Sequence, residues 1–323
     1  MNMLHTTYLR QFVRLAETAA TNATSFLAEP LSRRALVRVQ GAEVVPFLQG
    51  LMTNDINHLH IDGNPSMFTM FLNNAGRVLY DSIVYRTPEP DTFIIECDRE
   101  VTTELQKHLR LFKVRRKINV DCVDSELTPW IVFNPTQSGA VPKPSETNQK
   151  EVLTTIDPRL KELGVRIIQP TGNSLSDIEK MFPNATLKQP TLSEYNTHRY
   201  IHGVGEGVID HPPGKCFALE ANCDFLHGVS FHKGCYVGQE LTARVYHTGV
   251  IRKRLMPLEL TSNPTGDVNS VQTSAGGAVG TIRGVSQNHA LALLRVEQVM
   301  KAKELLVDGK PCKTHKPHWW PKD

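Results

Sequence analysis

Cys235 stands in the run Phe231-His232-Lys233-Gly234-Cys235-Tyr236-Val237-Gly238-Gln239-Glu240-Leu241-Thr242-Ala243-Arg244. Gly234 and Gly238 leave the thiol without steric cover on either side. Lys233 and His232 bring cations near it, and residues 238–244 read as the start of a helix. Positive charge and a helix N-terminus favour the thiolate, and bare backbone exposes it. A thiolate acts either as a nucleophile or as a soft ligand for iron, copper or zinc. The competing reading is a small buried hydrophobe, the commoner fate of an intracellular cysteine. Cys216, Cys223, His227, His232 and His247 lie in the same region, but their spacing matches no standard zinc module. A cluster takes four ligands, so one suitable thiolate per chain fits a centre shared with a second protein. Upstream, Gly203-Val204-Gly205-Glu206-Gly207 is loop material without the strand-then-helix setting of a phosphate loop.

The elements that must hold this segment follow from pattern. The chain has 323 residues, enough for about two domains. It is 40% hydrophobic and 21% charged, which excludes wholesale disorder. No apolar run reaches the ~18 residues needed to cross a bilayer, so membrane insertion is not expected. A net charge of +3 implies no general nucleic-acid field. The six cysteines are scattered and contain no CxxC pair, which argues for free thiols rather than a disulfide framework. Cys97 and Cys122 read as packing residues in or beside strands, and Cys312 lies near the tail.

Residues 35–39 read as a strand and 42–51 as a short helix, followed by the polar turn Thr53-Asn54-Asp55. Residues 66–72 and 78–85 read as strands joined at Asn73-Asn74-Ala75-Gly76, a hairpin turn. Residues 92–96 form another strand, and 99–112 a helix with Val101, Leu105, Leu109 and Phe112 in register. Its end is the most basic part of the chain, with Lys113, Arg115, Arg116 and Lys117 in five residues. Two readings stand level there: a solvated helix C-terminus, which favours cations, and an anion-binding rim. The absence of interleaved aromatics disfavours nucleic acid. Residues 134–151 read as a loop, and 175–181 and 191–200 as helices. Residues 251–260, 277–285 and 290–296 are short, evenly spaced strands of a small all-β domain, with Trp319 and Trp320 expected to pack back on it. Residues 1–30 carry Arg10 and Arg14 with no acid before Glu17, leaving a transit peptide and a frayed helix both open.

The octapeptide Lys233-Gly234-Cys235-Tyr236-Val237-Gly238-Gln239-Glu240 fits the signature K-G-C-[FY]-[VI]-G-Q-E, on which the chain resembles the folate-binding YgfZ/GcvT-like (aminomethyltransferase-fold) family. The similarity extends from about residue 32 to the tail, through 47–54, 71–85, 108–117, 198–207 and 249–255. The resemblance implies an α+β fold: interwoven α+β subdomains around a central funnel over residues 31–246, and a small C-terminal β-barrel over 247–323. It settles residues 1–30 as a mitochondrial transit peptide and implies the mitochondrial matrix.

The pattern is similar to a branch of the family that acts with A-type (Isca-class) scaffolds in maturing four-iron four-sulfur proteins. On that resemblance Cys235 is a ligand of a transient two-iron two-sulfur cluster bridged to the partner. Lys233, Gly234, Tyr236, Gly238, Gln239 and Glu240 then shape the loop, and Arg244 adds an anion contact. The resemblance also brings tetrahydrofolate, with Asn54, Asp55, Asp81 and Arg199 lining the funnel and the glutamate tail near the basic rim. The alternative function is a tetrahydrofolate-dependent aminomethyl transferase. Against it, only Asp81 follows the hairpin where the transferases carry an acidic pair, and no Gly-Tyr-Thr-Gly-Glu motif occurs near residues 164–171. The implied protein is transferase-like in fold without classical turnover. A third reading is an interaction module whose basic helix docks an acidic partner.

Overall fold

A computed structural model describes residues 25–60, 65–136, 140–145, 152–264 and 269–322. The chain weaves between two five-stranded sheets before closing a barrel. Strand Ser25–Pro30 starts in the first sheet, whose order is Thr186–Lys188, Ser25–Pro30, Leu127–Phe133, Val165–Pro170, Leu153–Ile156. The second sheet is built from the intervening residues in the order Ser66–Leu72, Val78–Arg86, Thr92–Asp98, Arg34–Gln40, Asn119–Cys122. Among the described residues the first strand begins at Ser25, within the stretch read from sequence as a leader. Leu27 pairs with Phe133 and with Lys188, so residues 25–30 are integral to the sheet. The transit-peptide reading of the residues before that strand falls outside the described residues.

The central strands are nearly continuous apolar runs because both faces are covered. Helix Thr102–Lys113 buries Leu105 and Leu109 against Val37, Val39, Phe93 and Ile95. The helix stops where Val114 takes φ +50°, a conformation that costs a β-branched residue energy. The hairpin lies where the sequence placed it, with Gly76 at φ +73°. The expected helix over 191–200 begins only at Tyr195. Its free N–H groups are met from far away: the Glu29 carboxylate accepts from the backbone of Glu194 (2.8 Å) and Tyr195 (3.1 Å). A cap borrowed from 165 residues upstream leaves no local sequence mark.

The barrel closes with six strands: Lys253–Leu260, His289–Arg295, Ala278–Ser286, Ser270–Thr273, Leu305–Val307 and Lys310–Thr314. The last three escaped pattern reading because segments of three to five residues carry little alternation. Trp320 does pack back: it is buried beside Phe225 (5.8 Å between centroids), and the Arg254 guanidinium lies against both rings while pairing with Asp224 (2.8 Å). Cys97 is buried as expected, but Cys122 is exposed, because its strand is the edge of the second sheet.

Helix Tyr195–Ile201 meets the barrel through a histidine cluster. His202 lies edge-on to His198 (4.7 Å) and 6.0 Å from His318, whose Nε2 is 3.7 Å from the Glu162 carboxylate. Burial pulls His202 down to about 3, and His198 and His318 add to the shift; burial also lowers His198. The unfolded chain thus binds a proton between pH 6.5 and about 3 that the folded chain refuses. Stability from this site is complete above pH 6.5 and falls with acidification. Guanidinium unfolding at pH 6.5 and pH 5 should differ by at most ~2 kcal/mol from this group. His202→Asn should flatten that slope, and an unaltered slope would clear His202 as its cause.

Candidate functional site

The signature loop is a two-sided device. Lys233 and Tyr236 are buried, while Gly234 and Cys235 between them are exposed. The Lys233 ammonium donates to three carbonyls, Gln49 (2.8 Å), Met52 (2.7 Å) and Asn54 (2.7 Å). An ammonium has three donors, so all are used. Burial lowers Lys233 to about 8, with Asp55 holding the other way. The ammonium also sits 5.0 Å from the Tyr236 ring centre, a cation–π contact. Lys233 therefore anchors the loop instead of supplying a free charge to the thiol, as the sequence suggested.

Further ties fix the loop to residues 50–54. Val237 N donates to Gly50 O (3.1 Å), Ser230 N to Thr53 O (3.1 Å), and Thr53 Oγ1 to Gly228 O (2.7 Å). Asn54 donates both amide hydrogens, to Phe68 O (2.8 Å) and His227 O (2.7 Å), and its oxygen accepts from Asp55 N (2.9 Å). Asp55 in turn is lowered: burial works to raise it, but hydrogen bonds from Asn57 and Gln49 outweigh that. The turn Thr53-Asn54-Asp55 is thus the platform on which the Cys235 loop is seated.

Beyond the thiol, Gly238 takes φ +79° and caps helix Gln239–Thr248. A Cβ on Gly238 would stand 2.4 Å from Asn73 O, and one on Gly76 would stand 3.0 Å from the Leu241 Cβ. Both glycines are demanded by one contact, where the hairpin turn meets the helix start. Gln239 accepts from Tyr236 N (3.3 Å), and Glu240 and Arg244 are exposed on the helix. Phe231 stacks on Tyr246 at 3.5 Å, tying the loop's entry to the far end of the same helix. Cys235 is held by its neighbours on both sides and presented to solvent.

The other thiols in the region do not join it. Cys216 and Cys223 are buried, and burial pushes both thiols up, Cys216 to about 12. Among the described residues no three His, Cys, Asp or Glu side chains form a metal-ligand group.

The expected funnel residues separate. A cavity of about 840 Å³ between the sheets is lined by Asn54, Met67, Phe68, Thr155, Asp157 and His227 among others. Asp55, Asp81 and Arg199 are not on its wall; Asp81 and Arg199 belong to a buried charge network that the sequence reading missed. Asp81 accepts from Gly207 N (3.0 Å), pairs with Arg34 (3.3 Å) and lies 3.5 Å from His211. Burial would raise its carboxyl, but Arg34 holds it well below the usual range. Arg199 pairs with Asp210 (2.8 Å), and Tyr200 donates to the same carboxylate (2.8 Å). Arg166 bridges Glu96, Asp157 and Glu206, and Arg159 pairs with Asp157 and Glu206 at 2.8 Å each. The signal was a lone charge inside an apolar strand: Asp81 in Leu79-Tyr80-Asp81-Ser82-Ile83, Glu96 in Phe93-Ile94-Ile95-Glu96-Cys97, Arg166 in Val165-Arg166-Ile167-Ile168. Such residues are almost never fully buried unless paired.

The basic segment stands apart from the cavity. Lys113 Nζ donates to Ile118 O (2.7 Å), and Arg116 lies 3.9 Å from Glu43 and over the Phe47 ring. Arg115 and Lys117 are exposed, and none of the four cations lines the cavity.

Comparison with known proteins supplies the family. Residues 252–322 match the model of the CAF17 C-terminal β-barrel domain. The chain is similar to the mitochondrial iron–sulfur cluster assembly factor IBA57 of Mus musculus, 39% identical over 320 residues, covering 90% of this chain and 84% of that protein. The Homo sapiens protein of the same name is 39% identical over 312 residues with the same coverages. In fold the chain is similar to the glycine cleavage system aminomethyltransferase T from Bartonella henselae, with a TM-score of 0.68 at 14% identity, over 92% of this chain and 86% of that one. A seated, outward-facing thiol on an aminomethyltransferase fold, with these relatives over nine-tenths of its length, places the chain in the IBA57 family of mitochondrial iron–sulfur cluster assembly factors.

Proposed function

We propose that the protein acts in the mitochondrial matrix by lending Cys235 as one ligand of a transient two-iron two-sulfur cluster. The remaining ligands come from an A-type (Isca-class) scaffold, and the product serves four-iron four-sulfur proteins. The cluster is cargo. The observation that carries this reading is the presentation of Cys235: exposed itself, between two buried anchors that leave its loop little freedom. A shared ligand must reach another protein's metal, and holding it in place reduces the entropy lost on assembly. Cys122, the second exposed thiol, sits on a sheet edge without such a cradle.

Anaerobic co-purification with the scaffold should yield an iron–sulfur absorption spectrum. Cys235→Ala should abolish it, whereas Cys122→Ser should retain it. A spectrum unchanged in Cys235→Ala would show that the ligand assignment is wrong.

The 840 Å³ cavity favours a second reading, binding of tetrahydrofolate as a small ligand. Phe68 and Met67 offer an apolar wall, and Ser66, Thr154 and Thr155 offer hydroxyls. One-carbon transfer is less well served: Asp157 on the wall is held to about 2 by Arg159 and Arg166 against its burial, and Asp81 is committed elsewhere. Calorimetric titration with tetrahydrofolate decides it, and no heat at high micromolar ligand removes the transferase reading.

A further inference from the structure

The helix that follows Cys235 forms one wall of a groove that the signature does not explain. Leu241 and Val245 of helix Gln239–Thr248 face Phe217 and Ile251 across about 440 Å³. Val250 stands at its edge, 81% exposed, where an isolated monomer gains nothing from an aliphatic side chain. The rim is cationic: Arg252, Lys253 and Arg295 line it, with Glu220 the single acid among the lining residues. Arg77 stacks on Phe217 at 4.6 Å and adds a further cation beside the floor. Helix Gln239–Thr248 has ten residues and is about 15 Å long, so groove and thiol fall within the footprint of one standard interface.

Resting on the cluster-sharing reading above, we infer that this groove is the docking surface for the scaffold that shares the cluster, and that it receives a segment of aliphatic side chains flanked by carboxylates. The apolar floor takes the aliphatics, and the three rim cations select acidic flanks and speed encounter. The surface then holds the partner before and after the metal passes, while Cys235 contributes only when the cluster is present.

Docking and ligation are separable by experiment. The full chain is titrated calorimetrically with the cluster-free A-type scaffold, and iron–sulfur absorption is recorded separately. The double variant Val250→Glu, Arg252→Glu should weaken cluster-free binding about tenfold or more. Its unfolding midpoint should stay unchanged, because both residues are exposed. Cys235→Ala should bind the cluster-free scaffold within about twofold of the unaltered chain yet lose the absorption. Unchanged affinity in the double variant overturns the groove and leaves the cluster reading standing. So does failure of the unaltered chain to bind cluster-free scaffold while the absorption still forms. Self-association lost in the variant at unchanged scaffold affinity assigns the groove to a second copy and also overturns the proposal. Unchanged absorption in Cys235→Ala, with the variant weakened, overturns the ligand assignment alone.

Discussion

An Arg166→Met chain is expected to lose about 3–5 kcal/mol of stability, measured by guanidinium unfolding at pH 7. Arg166 is 1% exposed in its side chain and ties three carboxylates that come from three parts of the fold. Glu96 belongs to the second sheet, Asp157 follows the last strand of the first, and Glu206 lies in the loop before helix Gly207–Asp210. The same guanidinium donates to Tyr195 Oη at 3.1 Å. Methionine keeps much of the volume but leaves the carboxylates short of charge in a medium that screens little. The remaining pairs limit the damage: Glu96 keeps Arg34 (2.8 Å) and Tyr85 (2.6 Å), and Asp157 keeps Arg159. A Glu206→Gln partner change should recover part of the loss, because one surplus negative charge goes with it; strict additivity of the two changes would refute direct coupling. The network also fixes the sign of the acid response. Burial works to raise Glu206 and Asp157, but the surrounding arginines prevail, holding Glu206 well below the usual range and Asp157 at about 2. Stability from these groups is present above their unfolded values near 4 and is lost as pH falls towards 2.

Lys233→Met should cost about 2–4 kcal/mol and, unlike Arg166→Met, should strike the site directly. It removes the donor for three carbonyls in the turn that seats the loop. Methionine still fills the space beside Tyr236, so the loss is electrostatic and not one of packing. With the carbonyls of Gln49, Met52 and Asn54 unpaired, the loop is free to leave its platform and Cys235 loses its fixed position. The variant should therefore keep the full count of titratable thiols while failing to form the shared iron–sulfur absorption. Lys233→Arg should not rescue it, because a planar fork cannot aim three donors at three converging carbonyls as an ammonium does. Normal absorption in Lys233→Met would show that Cys235 needs no seat, and would withdraw the central observation behind its proposed role.

The residues that the sequence singled out divide by how local their cause is. Gly76 was legible because a positive φ is a demand of the backbone at that residue, whereas Gly238, singled out for baring the thiol, takes a positive φ that the sequence reading had not assigned it. The strand, hairpin and helix boundaries of residues 66–113 were legible because the apolar period is set by side chains a few positions apart. Helix Leu175–Met181 followed for the same reason, capped by Ser174 and Asp177 within its own turn. Cys235 was distinguished by its flanking glycines and its octapeptide, and exposure sets it apart from Cys216 and Cys223.

What lay beyond local reach was the direction in which a charge faces. Lys233 adjoins Gly234 and Cys235 in sequence, yet its ammonium bonds carbonyls 179 to 184 residues away. Asp81 and Arg199 were assigned to the funnel wall because polar residues in a funnel are expected to meet a ligand. Their partners, Arg34 47 residues from Asp81 and Asp210 11 residues from Arg199, absorb them instead. By itself the sequence determined the local geometry: where the chain turns, which faces are apolar, and which thiol stands between glycines. Only the tertiary structure decided which charges are paired, because a buried charge is stable only beside its counter-charge, and folding, not chain order, brings the two together.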